Sequence, residues 1–312
     1  MRGYVGNTDV GWYRFLRTRP DLDEVNFWFP SPGGLLRTEG TDKGTPFLFK
    51  LKQEFGNVVC GFGYLVEDME LPAWYAWETF GEKNGAATQN EMFSRIGQYR
   101  KAPAGTEFRS LDIGCLVIVQ PTFFSQDQWV PAPEDWKKNV VRGAYYDLSV
   151  GVGARLWRDC QERAQALQVA PPLAASANKW GAPVSVRPRL GQGAFRVAVT
   201  KAYQSACAIT REHSLPVVEA AHIRPYASEG VHSVSNGIAL RSDLHRLFDR
   251  GYITFDEDHR IVVSKRLRED FENGVNYDRM QDEGKRLWIP QRAADRPVLK
   301  ALEWHREATF LG

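Results

Sequence analysis

Apolar and polar positions alternate along much of the first half of the chain. Pro46-Phe-Leu-Phe-Lys-Leu-Lys52 changes character at every second residue, Asn57–Val66 is a second β-rich run, and Cys115–Gln120 is a third. Helical text lies between the last two, at Ala73–Phe80 and Gln89–Tyr99, and an amphipathic helix is expected over Arg155–Gln168. Several strands with few helices predict a small mixed β-barrel. Residues 166–188 are rich in Ala, Pro and Ser and read as a linker.

Beyond the linker the period changes. Leu215–Ile223 reads as one strand, stopped by Pro225. Residues 226–235 have no period and read as a loop, Asn236-Gly237 is a turn dipeptide, and Ile238–Leu240 is a second short strand. A helix follows, with Ser242 or Asp243 as its cap, Leu244, Leu247 and Phe248 as its apolar stripe, and Gly251 as its stop. Ile261–Ser264 predicts a strand and Val298–Phe310 a helix, both as extensions of this second domain. The expected organisation is α+β, with a β-barrel domain over 1–165, the linker, and a second domain over 189–312.

A length of 312 residues suits about two domains. The net charge of +2 and pI near 8.3 do not announce a nucleic-acid binder, so local clusters must carry that reading. Those clusters are Arg187, Arg189 and Arg196; Arg241, Arg246 and Arg250; and Lys265, Arg266 and Arg268. No run approaches the ~20 apolar residues of a membrane span, and the N-terminus lacks the apolar core of a signal peptide. Four scattered cysteines with no Cys-x-x-Cys spacing suggest reduced thiols and no structural zinc. A bacterial cytoplasmic protein is the expectation.

The densest chemistry lies in residues 219–252, where His222, Asn236 and His245 stand fourteen and nine residues apart. A histidine at a strand end is suited to deprotonating water near neutral pH. Asn236 can hold that histidine by a side-chain hydrogen bond or pin the loop through its own backbone. His245 and Asp249 lie one helical turn apart, so both can face one divalent ion. The segment resembles the HNH (ββα-metal) nucleases, in particular those with a Glu-Ala-Ala-His-Ile core and a His-x-Leu-Phe-Asp-x-Gly helix. Arg189–Arg196 and Tyr203–Thr210 look like the lead-in segments of that subgroup.

The resemblance implies that His222 is the general base, Asn236 the structural residue and His245 a metal ligand. One departure stands out. Many relatives carry an acidic or histidine ligand directly before the base, and here that residue is Ala221. Glu219, which shares the strand parity of Ala221, and Asp249 are the candidate additional ligands. One divalent ion (Mg²⁺, Mn²⁺, Co²⁺ or Ni²⁺) is the expected cofactor. Arg224, Arg241 and Arg246 are the expected contacts to double-stranded DNA.

The first half is dense in aromatics. Gly-Trp-Tyr-Arg-Phe opens it, and Asn-Phe-Trp-Phe-Pro-Ser-Pro-Gly-Gly and Pro-Phe-Leu-Phe-Lys-Leu follow. With these motifs it is similar to the PUA-like superfamily, which includes EVE and SRA-type readers of modified bases. The resemblance implies a pocket that stacks on an extruded base. Trp28, Trp74 and Trp77 are its candidate walls, and Glu67 and Asp68 are the candidate acceptors for an exocyclic amine. Together the halves suggest a modification-dependent restriction endonuclease that reads a modified cytosine (5-methyl or 5-hydroxymethyl), with a homodimer for double-strand cleavage. Two other readings are a nuclease specific for unmodified sequence, or a nickase of little specificity, and a DNA-binding module whose nuclease site has decayed.

Overall fold

The computed structural model describes residues 1–19, 21–32, 44–101, 111–137, 139–169, 191–225 and 233–312. The chain divides into two compact units, Met1–Arg189 and Leu190–Gly312. The expected linker falls mostly outside the described residues; its first part is still helical, because the helix that ends the first half reaches Val169. Among the described residues no helix is long and apolar enough to cross a membrane.

The first unit contains β1 (Arg2–Thr8), α1 (Val10–Arg17), β2 (Glu24–Phe29), β3 (Thr45–Leu51), β4 (Val58–Pro72), α2 (Ala73–Phe80), α3 (Gln89–Arg100), β5 (Asp112–Phe123), β6 (Val130–Pro131), β7 (Gly143–Asp147) and α4 (Gly151–Val169). One mixed sheet runs β2-β5-β4-β3-β1-β7, with β6 paired to β4. Among the described pairs of this sheet, β1 and β3 run parallel and the others antiparallel. β4 and β5 are longer than the alternation suggested, because their pairing continues to Pro72 opposite Asp112.

The sheet is rolled. Neighbouring strands stand about 4.8 Å apart, so β2 and β3, three steps apart, would be about 14 Å apart in a flat sheet. Yet the Phe27 and Phe47 rings lie 4.7 Å apart between centroids. Arg142, just before β7, sits 5.1 Å from the ring of Phe29 on β2, so the two ends of the path also approach. Register shifts at Leu48/Lys50, Phe62/Tyr64 and Leu65/Glu67 bend the strands. The described pairs leave β2 and β7 as ends, so the expected barrel is an open, strongly curled sheet.

The concave side is an aromatic core that includes Phe27, Phe47 and Phe49, and α1 plugs it with Trp12, Tyr13 and Leu16. Asp9 caps that helix by accepting from the Trp12 amide at 2.8 Å. The convex side packs Leu156, Trp157 and Cys160 of α4 against Val5 and Leu48. All four cysteines are buried and unbridged.

The second unit comprises α5 (Gln192–Ala202), β8 (Val218–His222), β9 (Gly237–Arg241), α6 (Ser242–Asp249), β10 (Ile253–Phe255), β11 (Ile261–Val263), α7 (Arg266–Phe271), α8 (Val275–Asp282) and α9 (Leu299–Ala308). Its core draws on α5, both hairpins and Leu302 of α9. The amide of Val298 donates to Ser235 O (3.0 Å) and that of Leu311 to Gly251 O (3.0 Å), so the C-terminal stretch is part of this unit.

Two local expectations change here. The strand begins at Val218, because Leu215–Val217 forms a single 3-10 turn with Pro216 near its start. Proline fixes its φ and has no N–H, which suits a turn entry better than a paired strand. Neither Ser242 nor Asp243 caps α6: the N-cap residue is Arg241, with no side-chain cap bond. The Asp243 carboxylate is instead occupied by the Arg241 guanidinium, at 2.7 Å for each of two bonds.

Candidate active site

β8 and β9 pair antiparallel, with His222 opposite Gly237 and Glu219 opposite Leu240. Alternation along β8 puts His222 on the face that α5 covers. There its imidazole stacks on the Phe195 ring at 3.8 Å and 9°. Gly237 makes that stacking possible: a Cβ there would stand 2.4 Å from Val199 Cγ2 and 2.9 Å from Phe195 Cζ.

Asn236 is buried and acts on backbone. Its Oδ1 accepts from the Arg224 amide (3.0 Å) and its Nδ2 donates to the Arg224 carbonyl (2.9 Å). Its own carbonyl accepts from Ile223 N at 2.9 Å. Asn236 therefore fixes the chain just after His222.

His245 joins the two acidic candidates. Its Nδ1 is 2.6 Å from Glu219 Oε2 and its Nε2 is 3.2 Å from Asp249 Oδ2. Burial pulls this imidazole toward neutrality, but the hydrogen bonds and charges of Asp249 and Glu219 outweigh it, and its pKa is raised above the usual histidine value. Among the described residues no three such side chains stand ready to hold an ion. Both imidazole nitrogens are spent on carboxylates. The donor chemistry, one imidazole with two carboxylates, nevertheless suits a divalent ion once one carboxylate swings off the ring.

His222, Glu219, His245 and Asp249 line one cleft of about 500 Å³, with Gln192, Phe195 and Arg196 on its α5 side and His305 and Thr309 on its α9 side. His305 is 2% exposed. It meets Thr254 Oγ1 (2.9 Å) and the Phe248 carbonyl (3.0 Å), and it stacks on the Phe248 ring at 3.7 Å. Both partners are more than fifty positions away in sequence, so no local signal marks them. Burial pushes the His305 pKa down to about 4. His232, in the loop expected over 226–235, lies outside the described residues.

The expected DNA contacts have different surroundings. Arg241 is ion-paired to Asp243, Arg224 lies 5.3 Å from the Trp304 ring, and Arg246 is exposed on α6. The expected base-pocket residues do not share one face. Trp28 is opposite Cys115, whereas Asp68 is opposite Leu116, which is in turn opposite Phe27. Directly opposed residues share a face, so Asp68 belongs to the concave side and Trp28 to the convex side. Trp28 donates its indole N–H to Asn84 O (3.0 Å). Asn84 also accepts from Asn26 (2.8 Å) and donates to Ala76 O (3.1 Å), which ties α2, the helix of Trp74 and Trp77, to β2.

Residues 207–256 match the HNH_2 family, described as HNH endonuclease. The chain carries an HNH endonuclease domain, and its substrate class is DNA. Among solved structures a "Modification dependent TagI restriction endonuclease" is similar at 13% identity and a TM-score of 0.31, over 99% of this chain and 81% of that one. A likeness this distant carries no argument about fold or activity. No curated protein matches the chain.

Proposed function

We propose that this HNH endonuclease is modification-dependent: the first unit reads a modified cytosine turned out of the helix, and the second hydrolyses a nearby phosphodiester with one divalent ion. The observation that carries the cleavage half is the single cleft that holds His222 together with the Glu219–His245–Asp249 cluster. His222 accepts a proton from the attacking water, whose oxygen adds to phosphorus as the ester oxygen leaves. Phe195 and the Asn236 clamp orient the imidazole for that transfer. Glu219, His245 and Asp249 would hold the ion, which supplies positive charge for the phosphate and the leaving oxygen.

The reading half is supported by the resemblance of the first unit's motifs to PUA-like readers and by the curled, aromatic-rich sheet. Asp68 on the concave side is the acceptor this reading assigns to the base's exocyclic amine. One duplex offered with plain, 5-methyl and 5-hydroxymethylcytosine tests it. Preferential cleavage of a modified form is expected. Equal cleavage of all three favours the second reading, a nuclease for unmodified DNA, which the separation of Asp68 from Trp28 makes specific.

A further inference from the structure

We propose that Arg196 grips the scissile phosphate, seconded by Gln192, and so serves as a substrate-positioning residue within the cleft. This rests on reading the cleft as the nuclease site. Gln192, Phe195, Arg196 and Val199 fall at helical spacing and form one stripe of α5. Phe195 and Val199 press on Gly237, and Phe195 stacks on His222. The stripe thus faces the catalytic hairpin, and its two polar members line the cleft beside His222.

The cleft's charge calls for such a group. Glu219 and Asp249 both line it, and a DNA phosphate entering it is also an anion. Among the described lining residues Arg196 is the one whose positive charge does not titrate near neutral pH. Its planar fork can bind two phosphate oxygens at once, which fixes orientation as well as place. It lines the same cleft as His222, so the phosphate it holds is presented to a water beside that imidazole. The other candidates are less well placed. Neither Arg241 nor Arg224 is among the described residues that line this cleft.

The test uses the full-length protein, a defined duplex and Mn²⁺. Arg196→Ala is expected to lower kcat/KM about 100-fold, as loss of one transition-state charge donor does. In a His222→Ala background, which prevents turnover, adding Arg196→Ala should reduce the slope of log affinity against log salt by about 0.9, the mark of one lost phosphate contact. Arg196→Lys should restore that slope while cleaving more slowly than wild type, because it keeps the charge and loses the fork. If Arg196→Ala does not fold, Arg196→Gln, which keeps the stem, carries the same comparisons. Wild-type cleavage with an unchanged salt slope would overturn the proposal. Cleavage retained by His222→Ala would instead overturn the reading of the cleft on which it rests.

Discussion

Asn236 clamps the backbone of Arg224 at both ends, accepting from its amide at 3.0 Å and donating to its carbonyl at 2.9 Å. Of the two roles open to an asparagine at this position, holding the base or pinning the loop, these contacts serve the loop. The consequence for His222 is indirect: its strand cannot fray or turn without breaking both bonds.

Asn236→Ala should therefore lower cleavage about 100-fold through misplacement of His222 and cost about 1–3 kcal/mol of stability from the stranded backbone groups. Asn236→Asp keeps the acceptor and loses the donor, so it should fall between. Mn²⁺ affinity should be unchanged, since the Asn236 side chain bonds the Arg224 backbone while the ion is assigned to Glu219, His245 and Asp249. Cleavage kinetics, urea unfolding and calorimetric metal titration on the same variants check the three statements.

Metal binding should depend on pH in a defined direction. An imidazole must lose its proton to bind a metal, and the His245 pKa is raised despite burial by Asp249 and Glu219. Mn²⁺ affinity should rise with pH through that raised pKa. Removing a carboxylate by Glu219→Gln should move the midpoint to lower pH, while the plateau affinity falls about 10–100-fold. Calorimetric titrations across a pH series measure both, and a pH-independent affinity would count against the assignment.

Gly237→Ala is expected to harm the site by steric means alone. The new methyl would stand 2.4 Å from Val199 Cγ2 and 2.9 Å from Phe195 Cζ, so α5 must retreat from the hairpin and take the ring that supports His222 with it. A cost of about 1–3 kcal/mol is typical of such overpacking. Thermal unfolding and cleavage rate should fall together. Retained rate at lowered stability would show that the Phe195 stacking does not orient the base.

His305 gives the second unit an acid sensitivity. Its pKa falls from 6.5 unfolded to about 4 when buried, so the unfolded chain binds the proton more readily. That stability is fully present above the unfolded value and is lost as pH falls from 6.5 to about 4, amounting to about 3 kcal/mol over the window. His305→Gln should flatten this part of the pH profile of urea unfolding. An unchanged slope would place the acid sensitivity elsewhere.

What could be read from the sequence follows the range of the interactions. The order His222, Asn236, His245 lies within one hairpin and helix, and Asp249 reaches His245 through one helical turn, a local rule. Glu219, 26 positions before His245, is brought to it by the packing of α6 on β8. Closeness to turns links Trp28, Trp74, Trp77 and Asp68 in the sequence, whereas the faces that Trp28 and Asp68 occupy depend on the β2–β5–β4 register and on a bulge at Leu65/Glu67. His305 was illegible for the same reason, since its partners come from α6 and β10. The α5 stripe carried a helical signal at 192, 195, 196 and 199, but only the fold shows which surface it meets.

The most direct test is cleavage of a DNA duplex by His222→Ala beside the wild type, with binding measured on the same DNA. Loss of general-base help should slow cleavage about 10²–10⁴-fold, with affinity and thermal stability close to wild type. Cleavage at the wild-type rate would contradict the account, because no other described residue in the cleft has been assigned that proton.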